Sequence, residues 1–198
     1  MLAGASADAG LLELVSDYLS LPDTGGTGKG MVAGGSISPL LGALYLHPLD
    51  EAMLEWERKG RILYRRFMDD FVILASSRHV LRKAIRKVHE VLYSLMLVLH
   101  PVKRFIGRTV KSFDFLGYQI HQNRKLRPSA VSLHRLTERA RQLYEREASI
   151  QRLWQYVIRW HRWLHGGLDG MVSYKGGITK YWVYVLKHLH ITGATVQP

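Results

Sequence analysis

The chain has 198 residues, no cysteine and 47% hydrophobic residues. That is enough apolar surface for one ordinary domain or two small ones, and it excludes a disulfide scaffold and a thiolate zinc site. Net charge is +12 and unevenly spread, with −4 over residues 1–77 and +16 over residues 78–198; such a split suits a polyanion held by the second part, although basic helices also serve solubility alone. No apolar run nears the ~20 residues of a membrane helix and the first residues lack a basic leader, so a cytoplasmic location and no membrane partner are expected.

Leu11, Leu12, Val15 and Leu19 recur at helical spacing behind Asp8, which suits an N-cap. A glycine-rich loop follows over 22–35. Ser38 and Pro39 read as the N-cap and first residue of a second helix, with Leu41, Tyr45, Leu49, Met53 and Trp56 along one side and a kink at Pro48. Residues 61–75 form a hairpin, since Ile62-Leu63-Tyr64 and Phe71-Val72-Ile73-Leu74-Ala75 are short β-type runs about a polar tip. Val80, Leu81, Ala84, Ile85, Val88, Val91, Leu92 and Leu95 then predict a long amphipathic helix with Arg82, Lys83, Arg86 and Lys87 on its wet side.

Beyond Leu97-Val98-Leu99, a proline turn leads through Lys103 to short strands near 104–106 and 113–120. From Pro128 the apolar period is helical only, through Leu133, Leu136, Ala140 and Leu143, then Leu153, Tyr156, Val157, Trp160 and Leu164, then Ile178, Trp182, Val185 and Leu189. The expected class is α+β, with a boundary at 121–127.

At the hairpin tip, Phe67-Met68-Asp69-Asp70 sets two carboxylates side by side among apolar neighbours. Each repels the other and the flanking apolar residues offer no partner, so a divalent cation is the natural compensation. An isolated Asp-Asp is also an ordinary turn sequence. Its company tips the reading. Gly34-Gly35-Ser36-Ile37-Ser38-Pro39-Leu40-Leu41, the Asp69-Asp70 hairpin, Leu99-His100-Pro101-Val102-Lys103 and Phe115-Leu116-Gly117-Tyr118 follow in that order, and together they resemble bacterial reverse transcriptases of the group II intron type. The resemblance runs from about Leu11 to Leu168.

The resemblance implies a right-hand polymerase palm over 1–122 and an all-helical thumb over 128–198. By it Asp69 and Asp70 are catalytic and bind Mg²⁺, with Mn²⁺ a substitute. The metals would activate the primer 3′-hydroxyl, orient the dNTP and stabilise the leaving pyrophosphate. Gly34, Gly35, Ser38 and Pro39, with Phe67 and Met68, would meet the template and nascent base pair; Val32-Ala33 stands where the family has Pro-Gln. Lys103 would steady the departing pyrophosphate. Phe115, Leu116, Gly117 and Tyr118 resemble the primer grip, and Arg135, Arg139, Arg146, Arg152, Arg159 and Arg162 would form the thumb's nucleic-acid face. The implied partners are an RNA template, a DNA or RNA primer and intron RNA.

Family members carry fingers and a palm strand with a further metal-binding Asp upstream of the first helix. The chain is therefore expected to be a palm and thumb part, weak or inactive alone. A non-catalytic RNA-binding remnant is the alternative, and a poorly folding pseudogene product a third. Two look-alikes are set aside. Gly25-Gly26-Thr27-Gly28-Lys29-Gly30 lacks the first glycine and the Ser or Thr of a P-loop, and His161 and His165, one helical turn apart, lack the Glu of a metalloprotease helix.

Overall fold

The computed structural model describes residues 8–21, 35–101, 103–122 and 124–191. The chain forms two compact units, Met1–Arg104 and Phe105–Pro198. Compactness thus divides it at 104–105, ahead of the boundary that the change of apolar period leads one to expect at 121–127. Among the described residues, secondary structure mixes helices with two small antiparallel sheets, an α+β composition.

In the first unit, helix α1 (Ala9–Leu19) starts as expected, Asp8 Oδ1 accepting from the amides of Gly10 and Leu11 at 2.9 and 3.3 Å. None of its residues is buried. The expected kinked helix is instead two helices, α2 (Ser38–Tyr45) and α3 (His47–Arg58), with Leu46 ending one and opening the other. Pro48 lies in the first turn of α3, where its missing N–H leaves no donor unpaired, so it starts a helix rather than bending one. The N-cap of α2 is Ile37, not Ser38. Ser38 Oγ instead lies 2.8 Å from the Tyr18 hydroxyl, drawn toward α1.

Strands β1 (Ile62–Phe67) and β2 (Asp70–Ala75) pair in register from Phe67 opposite Asp70 to Ile62 opposite Ala75. Alternation along the pleat aims Tyr64, Phe71 and Ile73 at a core with Leu49, Met53, Ala84, Val88 and Leu92. Helix α4 (Arg78–Ser94), capped by Ser77, supplies the last three of these. Its end is a Schellman closure, with Met96 N–H donating to Tyr93 O at 2.9 Å and Leu97 N–H to Leu92 O at 2.8 Å. Met96 has φ 55, where glycine is usual, and about 1 kcal/mol of backbone cost is accepted for a sharp reversal.

In the second unit, β3 (Phe113–Phe115), β4 (Tyr118–Ile120) and β5 (Arg127–Pro128) make a small sheet. No strand forms at 104–106, where Phe105 and Ile106 are about half exposed and Phe105 stacks on Phe113 at 6.0 Å. Three helices follow, α5 (Ala130–Glu145), α6 (Ile150–His165) and α7 (Gly177–His188). They bury Leu136, Ala140, Leu153, Val157, Leu164, Trp182 and Val185, the positions that the helical period assigned inward. Trp154 meets Trp182 edge to face at 5.4 Å and Trp160 meets Tyr181 likewise at 5.0 Å, so these tryptophans pack rather than wait for bases.

Candidate functional site

A two-residue connection, Met68-Asp69, closes the β1–β2 hairpin. Met68 takes φ 55, the left-handed geometry that matches a two-residue turn to strand twist. Asp69 is therefore at the tip, and Asp70, opposite Phe67, lies on the face that Leu63 and Leu74 share, away from the core. Both carboxylates are exposed, and neither has a hydrogen-bond or ion-pair partner among the described residues.

The tip is held by a side chain that sequence reading overlooked. Arg66 donates through Nε to Asp50 Oδ1 at 2.7 Å and through Nη2 to Asp50 Oδ2, a bidentate pair. Its Nη1 donates to Met68 O at 2.7 Å and its Nη2 also reaches Ala43 O at 3.4 Å. One planar fork thus ties the turn to α2 and α3. Tyr64 Oη donates to Asp50 Oδ1 at 2.8 Å. Burial pushes the Asp50 carboxyl up, but hydrogen bonds from Arg66 and Tyr64 outweigh it and hold the carboxyl below its ordinary 3.8. Burial and then Asp50 push the Tyr64 hydroxyl far up, so it stays a donor. Alternating apolar and charged residues along 62–67 were the available signal: an Arg at an inward-facing position needs a buried acid.

The other predicted residues are dispersed. Gly34 lies outside the described residues. Gly35 is half-buried, and a Cβ there would collide with the Tyr18 hydroxyl, so its smallness serves contact with α1. Pro39 is in the first turn of α2, and Phe67 and Met68 are 56% and 48% exposed beside the carboxylates. Lys103 is exposed near the end of the first unit, and no acid pairs with it among the described residues.

Phe115-Leu116-Gly117-Tyr118 belongs to the second unit and is a hairpin tip, not a continuous strand. Leu116 and Gly117 have φ 50 and 82, the double left-handed turn of a tight hairpin. Tyr118 stacks on Trp163 at 5.8 Å and donates to Leu164 O at 3.0 Å, fixing the hairpin to α6.

All six predicted arginines are exposed, and none pairs with an acid among the described residues. Arg141, outside that set, is neutralised by Glu138 and Glu145 at 2.8 and 3.1 Å. Helical period places Arg135 and Arg139 within about 40° of each other on α5, and Arg146 is its C-cap residue. Free cations on one face favour an anionic polymer.

His161 and His165 prove unusual. Their rings are 4.2 Å apart, His165 is 7% exposed and Nε2 of each is buried without a hydrogen-bond partner among the described residues. No third metal-binding group joins them among the described residues. Burial, aided by His165, pulls His161 below its ordinary 6.5. The unfolded chain therefore binds the proton more readily, and stability present above pH 6.5 declines as pH falls toward the folded value. The second unit should melt at lower temperature at pH 5 than at pH 7.5, and His161→Phe should reduce that difference. An unchanged difference in calorimetric scans of the variant would refute the assignment.

For a metal at the hairpin tip, the donor type fits magnesium, which takes oxygen ligands and commonly one or two carboxylates with substrate phosphates and water. Among the described residues no group of three or more acidic or imidazole side chains gathers there. Residues 23–120 match the family model described as reverse transcriptase (RNA-dependent DNA polymerase). The matched segment contains the glycine loop, the carboxylate hairpin, Lys103 and the Phe115–Tyr118 turn. No curated protein matches the chain.

Proposed function

We propose that this chain is the palm and thumb part of an RNA-directed DNA polymerase of the group II intron type, acting on a primer paired to an RNA template. The observation that carries the reading is the Asp69-Asp70 corner, unpaired among the described residues and tied to the helices through Arg66, within the segment that matches the reverse transcriptase family. Asp69 and Asp70 would hold Mg²⁺, which when bound neutralises charge at the reacting phosphate and favours the ionised primer hydroxyl. Asp69 lies in the turn and Asp70 at the first position of β2, so the two carboxylates extend from adjacent residues of the hairpin tip. Lys103 offers an ammonium to the departing pyrophosphate. Arg135, Arg139, Arg146, Arg152, Arg159 and Arg162 contact phosphates without reading sequence.

A further carboxylate has to complete the metal set. Among the described residues the hairpin is a sheet of two strands, whose Leu63, Phe67 and Leu74 are 40%, 56% and 38% exposed. Such open edges and an uncovered face suit the addition of a strand bearing that acid. Primer extension measured with and without an added upstream palm strand tests the reading. Mg²⁺-dependent extension only with the strand is the expected result, and none in either case overturns it.

A second reading, RNA binding without synthesis, is favoured by the lack of a third acidic ligand among the described residues. It predicts salt-sensitive RNA binding with no extension even after the addition. On either reading, Arg159→Glu with Arg162→Glu should weaken RNA binding about tenfold or more and flatten its salt dependence; unaltered filter-binding curves would remove the thumb face from the account.

A further inference from the structure

Helix α4 has a second face that polymerase chemistry leaves unused. Its inner side packs on the hairpin, while Arg82, Arg86, His89 and Tyr93 follow one another along the opposite side at helical spacing. After the Schellman closure the chain doubles back, and Leu97, Val98 and Arg104 face α4 across a groove of about 510 Å³ that Arg86, His89 and Tyr93 also line. Tyr93 is 86% exposed and Val98 92%. The wall is anchored from within, Tyr45 donating its hydroxyl to Leu95 O at 2.6 Å.

Charge singles out the occupant. Glu90, the one acid lining the groove among the described residues, is 3.5 Å from Lys87 and so compensated. Arg82, Arg86 and Arg104 have no acidic partner among the described residues. A ligand that satisfies this surface has flat apolar faces for Tyr93, Leu97 and Val98, with regularly spaced negative charges beside them. An acidic peptide offers flat faces only where it carries aromatic side chains, not one beside each charge, and a duplex hides its bases within the stack. Single-stranded nucleic acid has both features.

The geometry points to this groove as a binding site for single-stranded RNA, with a base stacked on Tyr93 and its phosphates on Arg86 and Arg104. The site is separate from the carboxylate corner and stands whether or not the chain synthesises DNA.

The test uses the full chain with a fluorescein-labelled oligouridine about twelve nucleotides long and a duplex of equal length. Tyr93→Ala is expected to weaken single-strand binding about fivefold or more and leave duplex binding unchanged. Arg86→Gln should lower the slope of log affinity against log salt by about 0.7. A strand carrying 5-iodouridine should crosslink to Tyr93. Single-strand affinity unchanged in Tyr93→Ala, or crosslinks confined to residues 105–198, would overturn the proposal. So would a shift from dimer to monomer in Tyr93→Ala without change in RNA affinity, which would assign the groove to a second copy of the chain. Loss of Mg²⁺-dependent extension bears only on the carboxylate corner, so the two readings fail separately.

Discussion

Asp69→Ala is expected to lower Mg²⁺-dependent extension by the completed protein at least about a thousandfold, with little change in melting temperature. Asp69 is exposed and makes no hydrogen bond or ion pair among the described residues, so its removal takes away no internal contact. On the proposed reading, its loss would take a ligand from the Mg²⁺ that neutralises charge at the reacting phosphate. Asp70→Ala should act in the same direction. Asp114→Ala, an exposed acid on β3, serves as the control and should extend normally. Steady-state extension rates and calorimetric scans of the three variants decide the matter. Wild-type rates in Asp69→Ala would remove Asp69 from the site.

Arg66→Ala is expected to have the largest structural effect, about 2–4 kcal/mol lost from the first unit, together with a loosened turn. The side chains of Arg66 and Asp50 are 11% and 21% exposed, so removing the arginine strands a largely buried carboxylate and frees Met68 O. Arg66→Lys keeps the charge but cannot span both oxygens of Asp50 and the turn carbonyl at once, and should recover only part of the loss. Acid reports on the same pair. Because Asp50 is held below 3.8, its contribution is present above that pH and fades as pH falls through its folded value. Denaturant unfolding of both variants at neutral and acid pH provides the measurement, and a wild-type midpoint for Arg66→Ala would contradict the clamp.

Most helices were legible because their apolar residues repeat on one face: Leu136 with Ala140, and Leu153 with Val157, are buried where the period puts them. The hairpin was legible from β-type runs about a polar tip, and its register brought the two acids to the corner. Other features were not readable from local pattern. Ser38 looked like an N-cap because caps are inferred from chain neighbours, yet its hydroxyl is drawn to Tyr18, twenty residues away. Pro48 fits a kink and a helix start equally well, and packing of Leu49 and Met53 against the hairpin favours the start. Leu116-Gly117 read as strand because Leu rarely enters left-handed geometry, and the stacking of Tyr118 on Trp163 holds it there. Arg66 escaped notice because its partner Asp50 lies on another element.

The most direct measurement is a Mn²⁺ titration followed by NMR line broadening. If the adjacent acids bind a divalent cation, amide signals of Phe67, Met68, Asp69 and Asp70 broaden first, and Asp69→Ala with Asp70→Ala removes the effect. Broadening that begins elsewhere, or persists in the double variant, would contradict the account.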